Sequence, residues 1–96
     1  MSGAVMRFDG ELTIYRAVEL KPQMLALPAG SDAIRVDLAQ VSEIDTAGVQ
    51  LLLLSRREAQ ALSRPWQICA ASSAVSEALG LLGLQQLLAA PGSLAS

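Results

Sequence analysis

Polar and apolar residues alternate most clearly over Ala33-Ile34-Arg35-Val36-Asp37-Leu38, where Ile34, Val36 and Leu38 point one way and Arg35 and Asp37 the other. That alternation predicts a strand with one face against a core and the other at least partly wet; a strand buried on both faces would be continuously apolar. Upstream, Val5-Met6-Arg7-Phe8 and Glu11-Leu12-Thr13-Ile14 read as two short strands around the turn signal Asp9-Gly10, which predicts a hairpin. From Arg16 the period lengthens, and Val18, Leu20, Met24, Leu25 and Leu27 form one apolar face of a helix. Pro22 is awkward there, because an interior proline removes a hydrogen bond; the helix is expected to start late or to kink. Residues 28–32 form a loop.

After residues 39–44 a long helix is expected over 47–62, closed by Ser63-Arg64-Pro65. Trp66-Gln67-Ile68-Cys69-Ala70 alternates again and reads as a strand. Ser72-Ser73 caps a helix over 74–82, with Glu77 near its positive end, and Gly80 and Gly83 separate it from a short helical piece at 84–89. Residues 91–96 are read as a flexible tail. The order β-β-α-β-α-β-α describes one α/β domain over residues 1–96, with its core at about 5–90 and a right-handed crossover between its parallel strands.

Composition narrows the function. The chain is 52% apolar against a usual ~45–50%, and the surplus is aliphatic, since Phe8, Tyr15 and Trp66 are the only aromatic residues. A domain of 96 residues cannot easily hide that much apolar surface. The net charge is −2, and no basic cluster exceeds Arg56-Arg57 with Arg64 nearby, so no nucleic-acid partner is expected. Cys69 is the only cysteine, which favours a reducing compartment. The first seven residues lack the charged and apolar regions of a secretion signal. The run Leu51-Leu52-Leu53-Leu54 falls far short of the ~20 apolar residues that cross a bilayer. A cytoplasmic protein without direct membrane insertion is expected.

The usual catalytic assemblies have no residues to build them. With no histidine there is no Ser-His-Asp or Cys-His nucleophile and no common zinc site, and one cysteine makes no CxxC pair. No phosphate loop of the GxxxxGK[ST] or GxGxxG type follows a strand, and Gly80-Leu81-Leu82-Gly83 lacks a lysine. Asp37 could pair with Glu43 or Asp45, but nothing in the sequence gives such a pair a pocket. The chain reads as a binding module, not an enzyme, and needs no cofactor.

Two features remain. Asp45-Thr46-Ala47-Gly48 opens the long helix; Asp and Thr both cap helices, and a Thr hydroxyl at a helix N-terminus among small residues is open to a partner or to phosphorylation. Behind it, Val49-Gln50-Leu51-Leu52-Leu53-Leu54 puts leucine around most of the helix circumference. Val49, Leu52, Leu53 and Ala59 can face the sheet together, so Leu51 or Leu54 must point sideways or outward. Gln50 and Arg57 would then give an apolar patch a polar rim. The candidate partner-binding residues are therefore Asp45, Thr46, Ala47, Gly48, Gln50, Leu51, Leu54 and Arg57.

The stretch from Ile34-Arg35-Val36-Asp37-Leu38 through Ile44-Asp45-Thr46-Ala47-Gly48-Val49 resembles the central signature of STAS domains, the fold of bacterial anti-sigma factor antagonists. Gly10-Glu11-Leu12-Thr13-Ile14-Tyr15-Arg16-Ala17 resembles that family's second strand and helix start, and Ala78-Leu79-Gly80-Leu81-Leu82-Gly83-Leu84 its final segment. The resemblance implies a small two-layer fold, a mixed β-sheet with helices mainly on one face. It also implies signal transduction by binding a protein partner, often an anti-sigma kinase-like ATPase, through the turn and following helix. Thr46 takes the phosphoacceptor place, with Asp45 and Gly48 shaping the turn. Thr46 stands where serine is usual and Ala47 where a second hydroxyl residue is usual. The D-T-A-G form also resembles accessory subunits of lipid-transporting ABC complexes, which pack the threonine on an ABC ATPase, and small STAS proteins that serve as a chemotaxis component.

Overall fold

The computed structural model describes residues 4–30 and 32–88. Strand β1 (Ala4–Leu12) leads through a tight turn into helix α1 (Ala17–Leu25), followed by strand β2 (Ile34–Ile44), helix α2 (Thr46–Ala61), strand β3 (Trp66–Ala71), helix α3 (Ser73–Leu81) and one 3-10 turn, Gln85–Leu87. The strands form one sheet in the order β1-β2-β3, parallel in both pairings. The α/β architecture agrees with the sequence reading, and α2, β3 and α3 lie within one residue of their expected bounds, whereas the strand expected over 33–38 runs on to Ile44. The expected tail at 91–96 and the end of the expected 84–89 piece lie outside the described residues.

The N-terminal hairpin is not formed, and with it goes the antiparallel pairing that would have made the sheet mixed. Residues 4–12 run straight on as one strand beside β2. Asp9-Gly10 marks an irregular stretch of the ladder: Gly10 adopts φ +74° while remaining paired with Val41. The pairing register slips between Arg7 and Asp9 and again between Gly10 and Glu11, each time leaving one extra residue on β2. Buried Leu38 and Val41 and half-buried Ile44 are therefore spaced by three along β2, with exposed Ala39, Gln40, Ser42 and Glu43 in pairs between them. On β1 the ordinary alternation persists, with Met6, Phe8 and Leu12 inward.

One hydrophobic cluster holds the layers together. Ile34, Val36 and Leu38 of β2 are fully buried in it, while Arg35 and Asp37 on the opposite face are half-buried. Asp37 accepts a 3.0 Å hydrogen bond from Arg7 on the neighbouring strand. Helix α2 packs on the sheet, α1 on α2, and α3 on β2 and β3. Helix α1 contributes Leu20 and Met24 to the core and runs through Pro22. Val18, expected on its apolar face, is instead 90% exposed, so the carbonyl that Pro22 cannot bond lies on the wet side of the helix. Between α2 and β3, buried Arg64 donates through Nε to the Asp32 carbonyl and through Nη1 to that of Pro28. The arginine that closes α2 thereby also fixes the loop before β2. Ser72 caps α3 by accepting from the Val75 amide.

Candidate functional site

The end of β1, the end of β2 and the start of α2 meet at Asp45. Its backbone is extended, and its carbonyl accepts the first helical hydrogen bond from Val49. Oδ1 accepts from the Gly48 amide and Oδ2 from the Ile14 amide, both at 3.0 Å. Its own amide donates to the Leu12 carbonyl at 3.2 Å. One carboxylate thus caps α2 and secures the chain where it leaves β1. The Ile14 amide, and after it that of Gly48, hold the Asp45 carboxyl below the usual carboxylate range.

Gly48 shapes this junction by being small. It is helical and buried, and its α-carbon faces the Leu12 carbonyl, with the Ile44 side chain on its flank. Ala47 is half-buried. Thr46, the first helical residue, is exposed, and its hydroxyl has no hydrogen-bond partner among the described residues. Because Asp45 supplies the cap, no hydrogen bond among the described residues calls on the Thr46 hydroxyl.

Down α2 from Thr46, the positions Gln50, Leu53, Leu54 and Arg57 continue the same face and line a shallow depression of about 270 Å3. Gln50 and Arg57 are exposed and Leu54 is 37% exposed, so all three lie on the outward side of α2. Leu51 is a correction: it is 5% exposed and belongs to the core. Helix α1 covers α2 in addition to the sheet, so the buried arc of α2 is wider than the sheet alone would require. Leu53, expected to face the sheet, is half-buried, touching the core while lining the depression.

The sequence reading missed a second apolar region on the other side of Asp45. A groove of about 490 Å3 between the end of β2 and α3 is lined by Tyr15, Glu43, Asp45, Glu77, Ala78 and Leu81, among others. A smaller one beside it, of about 200 Å3, is lined by Ile44, Asp45, Thr46, Val49, Ala78, Leu81 and Leu82. Tyr15 is 90% exposed and Leu81 89%. Leu82, beside Leu81 in the smaller groove, is also exposed, and apolar side chains exposed together rather than singly mark interaction sites. The available signal was the aliphatic surplus in the composition, but it carried no address. Among the described residues no cluster of His, Cys, Asp or Glu could hold a metal ion, and no helix is long and apolar enough to cross a membrane.

No curated protein matches the sequence. Among solved structures, the anti-sigma factor antagonist SpoIIAA in its unphosphorylated form superposes with a TM-score of 0.72 at 23% identity, over 93% of this chain and 80% of that one. A sulfate transporter family protein from Wolinella succinogenes gives 0.71 at 15% identity, over 99% and 84%. The STAS domain of a SulP transporter from Vibrio cholerae gives 0.64 at 20% identity, over 96% and 77%. At these identities the likeness is one of fold. The sequence itself matches the family model described as "Mlab, STAS domain" over residues 2–89. A match across nearly the whole chain makes this protein a member of the STAS domain family.

Proposed function

We propose that this domain is a non-catalytic, cytoplasmic regulatory module that binds a protein partner through the 45–48 turn and the exposed face of α2 formed by Thr46, Gln50, Leu54 and Arg57. The observation that carries this reading is the division of labour at the turn. Asp45 and Gly48 build it, while Thr46 stands exposed with its hydroxyl free of hydrogen bonds among the described residues. In the antagonist-type form of the reading, Thr46 is a phosphoacceptor. A phosphate there would add about −1.5 to −2 charge beside the Asp45 carboxylate and expel a partner seated on the turn. A second form is a constitutive accessory subunit of a lipid-transport ABC ATPase or a chemotaxis complex, with Thr46 as a static contact. It is supported by Ala47 in place of a second hydroxyl residue.

Substitution at Thr46 separates the two, using the partner that co-purifies from the native host. For a switch, Thr46→Ala keeps binding and Thr46→Glu weakens it about tenfold or more, ~1.4 kcal/mol. For a static contact, Thr46→Ala itself weakens binding. Intact-mass measurement of the native protein gives an independent check, since the absence of a phosphorylated fraction under every growth condition would eliminate the switch. Leu54→Asp should abolish binding in either form while leaving the helical circular dichroism unchanged, and retention of binding would refute the docking face.

A further inference from the structure

We infer that the groove between the end of β2 and α3 receives a basic, amphipathic helix of the protein partner. This rests on the protein-binding reading above and adds to it the chemistry of what is bound. The groove's α3 wall consists of Ala74, Glu77, Ala78 and Leu81, spaced i, i+3, i+4 and i+7, which is one face of a helix. Two alanines in that row let a second helix approach closely, ridge into groove. Exposed Tyr15 and Leu81 offer apolar surface to leucine-sized anchors at the same spacing on the incoming helix.

Charge settles the sign of the partner. The groove lining contains Glu43, Asp45 and Glu77 and no lysine or arginine. The Asp45 carboxylate is spent on backbone amides, whereas Glu43 and Glu77 are exposed and have no ion-pair partner among the described residues. Glu11 is paired in register beside Glu43 and adds to the negative field. The neighbouring cation, Arg16, does not line the groove and is engaged elsewhere: its Nη1 donates to the carbonyls of Asp9 and Glu11 and its Nε to Glu19. An apolar floor with an acidic, uncompensated rim is complementary to a helix carrying leucines on one side and lysines or arginines at its flanks.

The test uses a fluorescently labelled helical peptide of about 18 leucine and lysine residues in amphipathic order, and its counterpart with glutamate in place of lysine. Fluorescence anisotropy should show the lysine peptide binding at least about tenfold more tightly than the glutamate peptide. Leu81→Asp and Glu77→Lys should each weaken it by about tenfold or more, with Glu58→Lys changing it by less than about twofold. Both groove positions are exposed, and an unchanged urea midpoint confirms that the variants fold. If Glu58→Lys weakens binding as much as Glu77→Lys, diffuse net charge is responsible and the groove is overturned. If Leu54→Asp abolishes binding while Leu81→Asp retains it, the groove fails and the α2 docking face stands. If Leu81→Asp and Glu77→Lys fail to bind while the native partner still binds them normally, the groove is not the partner's seat.

Discussion

The α-carbon of Gly48 faces the carbonyl of Leu12 with no room for a methyl group between them. A Cβ placed there would overlap the carbonyl oxygen, lie 2.9 Å from the carbonyl carbon and touch the Ile44 side chain at 3.0 Å. Two of those three atoms are backbone and cannot rotate away. The start of α2 can sit against the end of β1 only because this position has no side chain. Gly48→Ala should therefore cost about 3 kcal/mol, toward the upper end for overpacking, despite alanine's better helix propensity. Urea unfolding measures it, and a neutral or stabilising result would mean that the junction is looser than described.

The two carboxylates with depressed pKa values set the acid side of the stability profile. Asp45 is held down by the amides of Ile14 and Gly48, and Asp37 by the Ala39 amide and then Arg7. Each binds its proton less readily folded than unfolded. Their contribution is thus complete above the unfolded value of about 3.9 and is lost as pH falls through the lower folded value. The urea midpoint should decline below about pH 4. Asp45→Asn should flatten that decline, because the amide does not titrate, and should lower stability at neutral pH, because it keeps an acceptor for one backbone N–H but turns a donor toward the other.

Ser55 and Trp66 form a buried polar pair, the indole Nε1 donating to the Ser55 hydroxyl at 3.1 Å. Ser55→Ala leaves that donor unpaired in the core and should cost about 1–3 kcal/mol. Combined with Trp66→Phe, the loss should be smaller than the sum of the two single losses, since the second change removes the orphaned donor. Thermal or urea unfolding of the full double-mutant cycle tests this.

Leu51 and Leu54 should behave oppositely although both lie in the same four-leucine run. Leu51→Ala opens a space in the core and should cost about 2–4 kcal/mol, whereas Leu54→Ala should change stability by less than about 1 kcal/mol. Partner binding should respond in the reverse order.

What could be read from the chain was what local chemistry decides. Asp45 as cap, Ser72 as cap, the alternation of Ile34, Val36 and Leu38, and the helix behind Gly48 all depend on neighbours within one or two turns. Asp9-Gly10 misleads because the same dipeptide suits a hairpin and an irregular parallel strand, and only pairing with β2 some thirty residues away selects between them. The choice between Leu51 and Leu54 depends on where α1 comes to rest. Tyr15 and Leu81 look like core residues by type, and their exposure is a property of the assembled layers.

From the Arg7–Asp37 pair to the Leu12–Ile44 pair, β1 advances five residues while β2 advances seven. The additional residues stand among the outward pairs Ala39-Gln40 and Ser42-Glu43, so the outer track of β2 is longer than its inner one, as on the outside of a bend. Asp45 is the residue that this longer path delivers to the end of β1. Removing one outward residue would preserve every inward side chain yet shorten the path by about 3.3 Å, more than the length of a hydrogen bond. The carboxylate would then fall short of the Ile14 amide. Where Thr46 stands in space is accordingly set by arc length, through residues that lie outside the core.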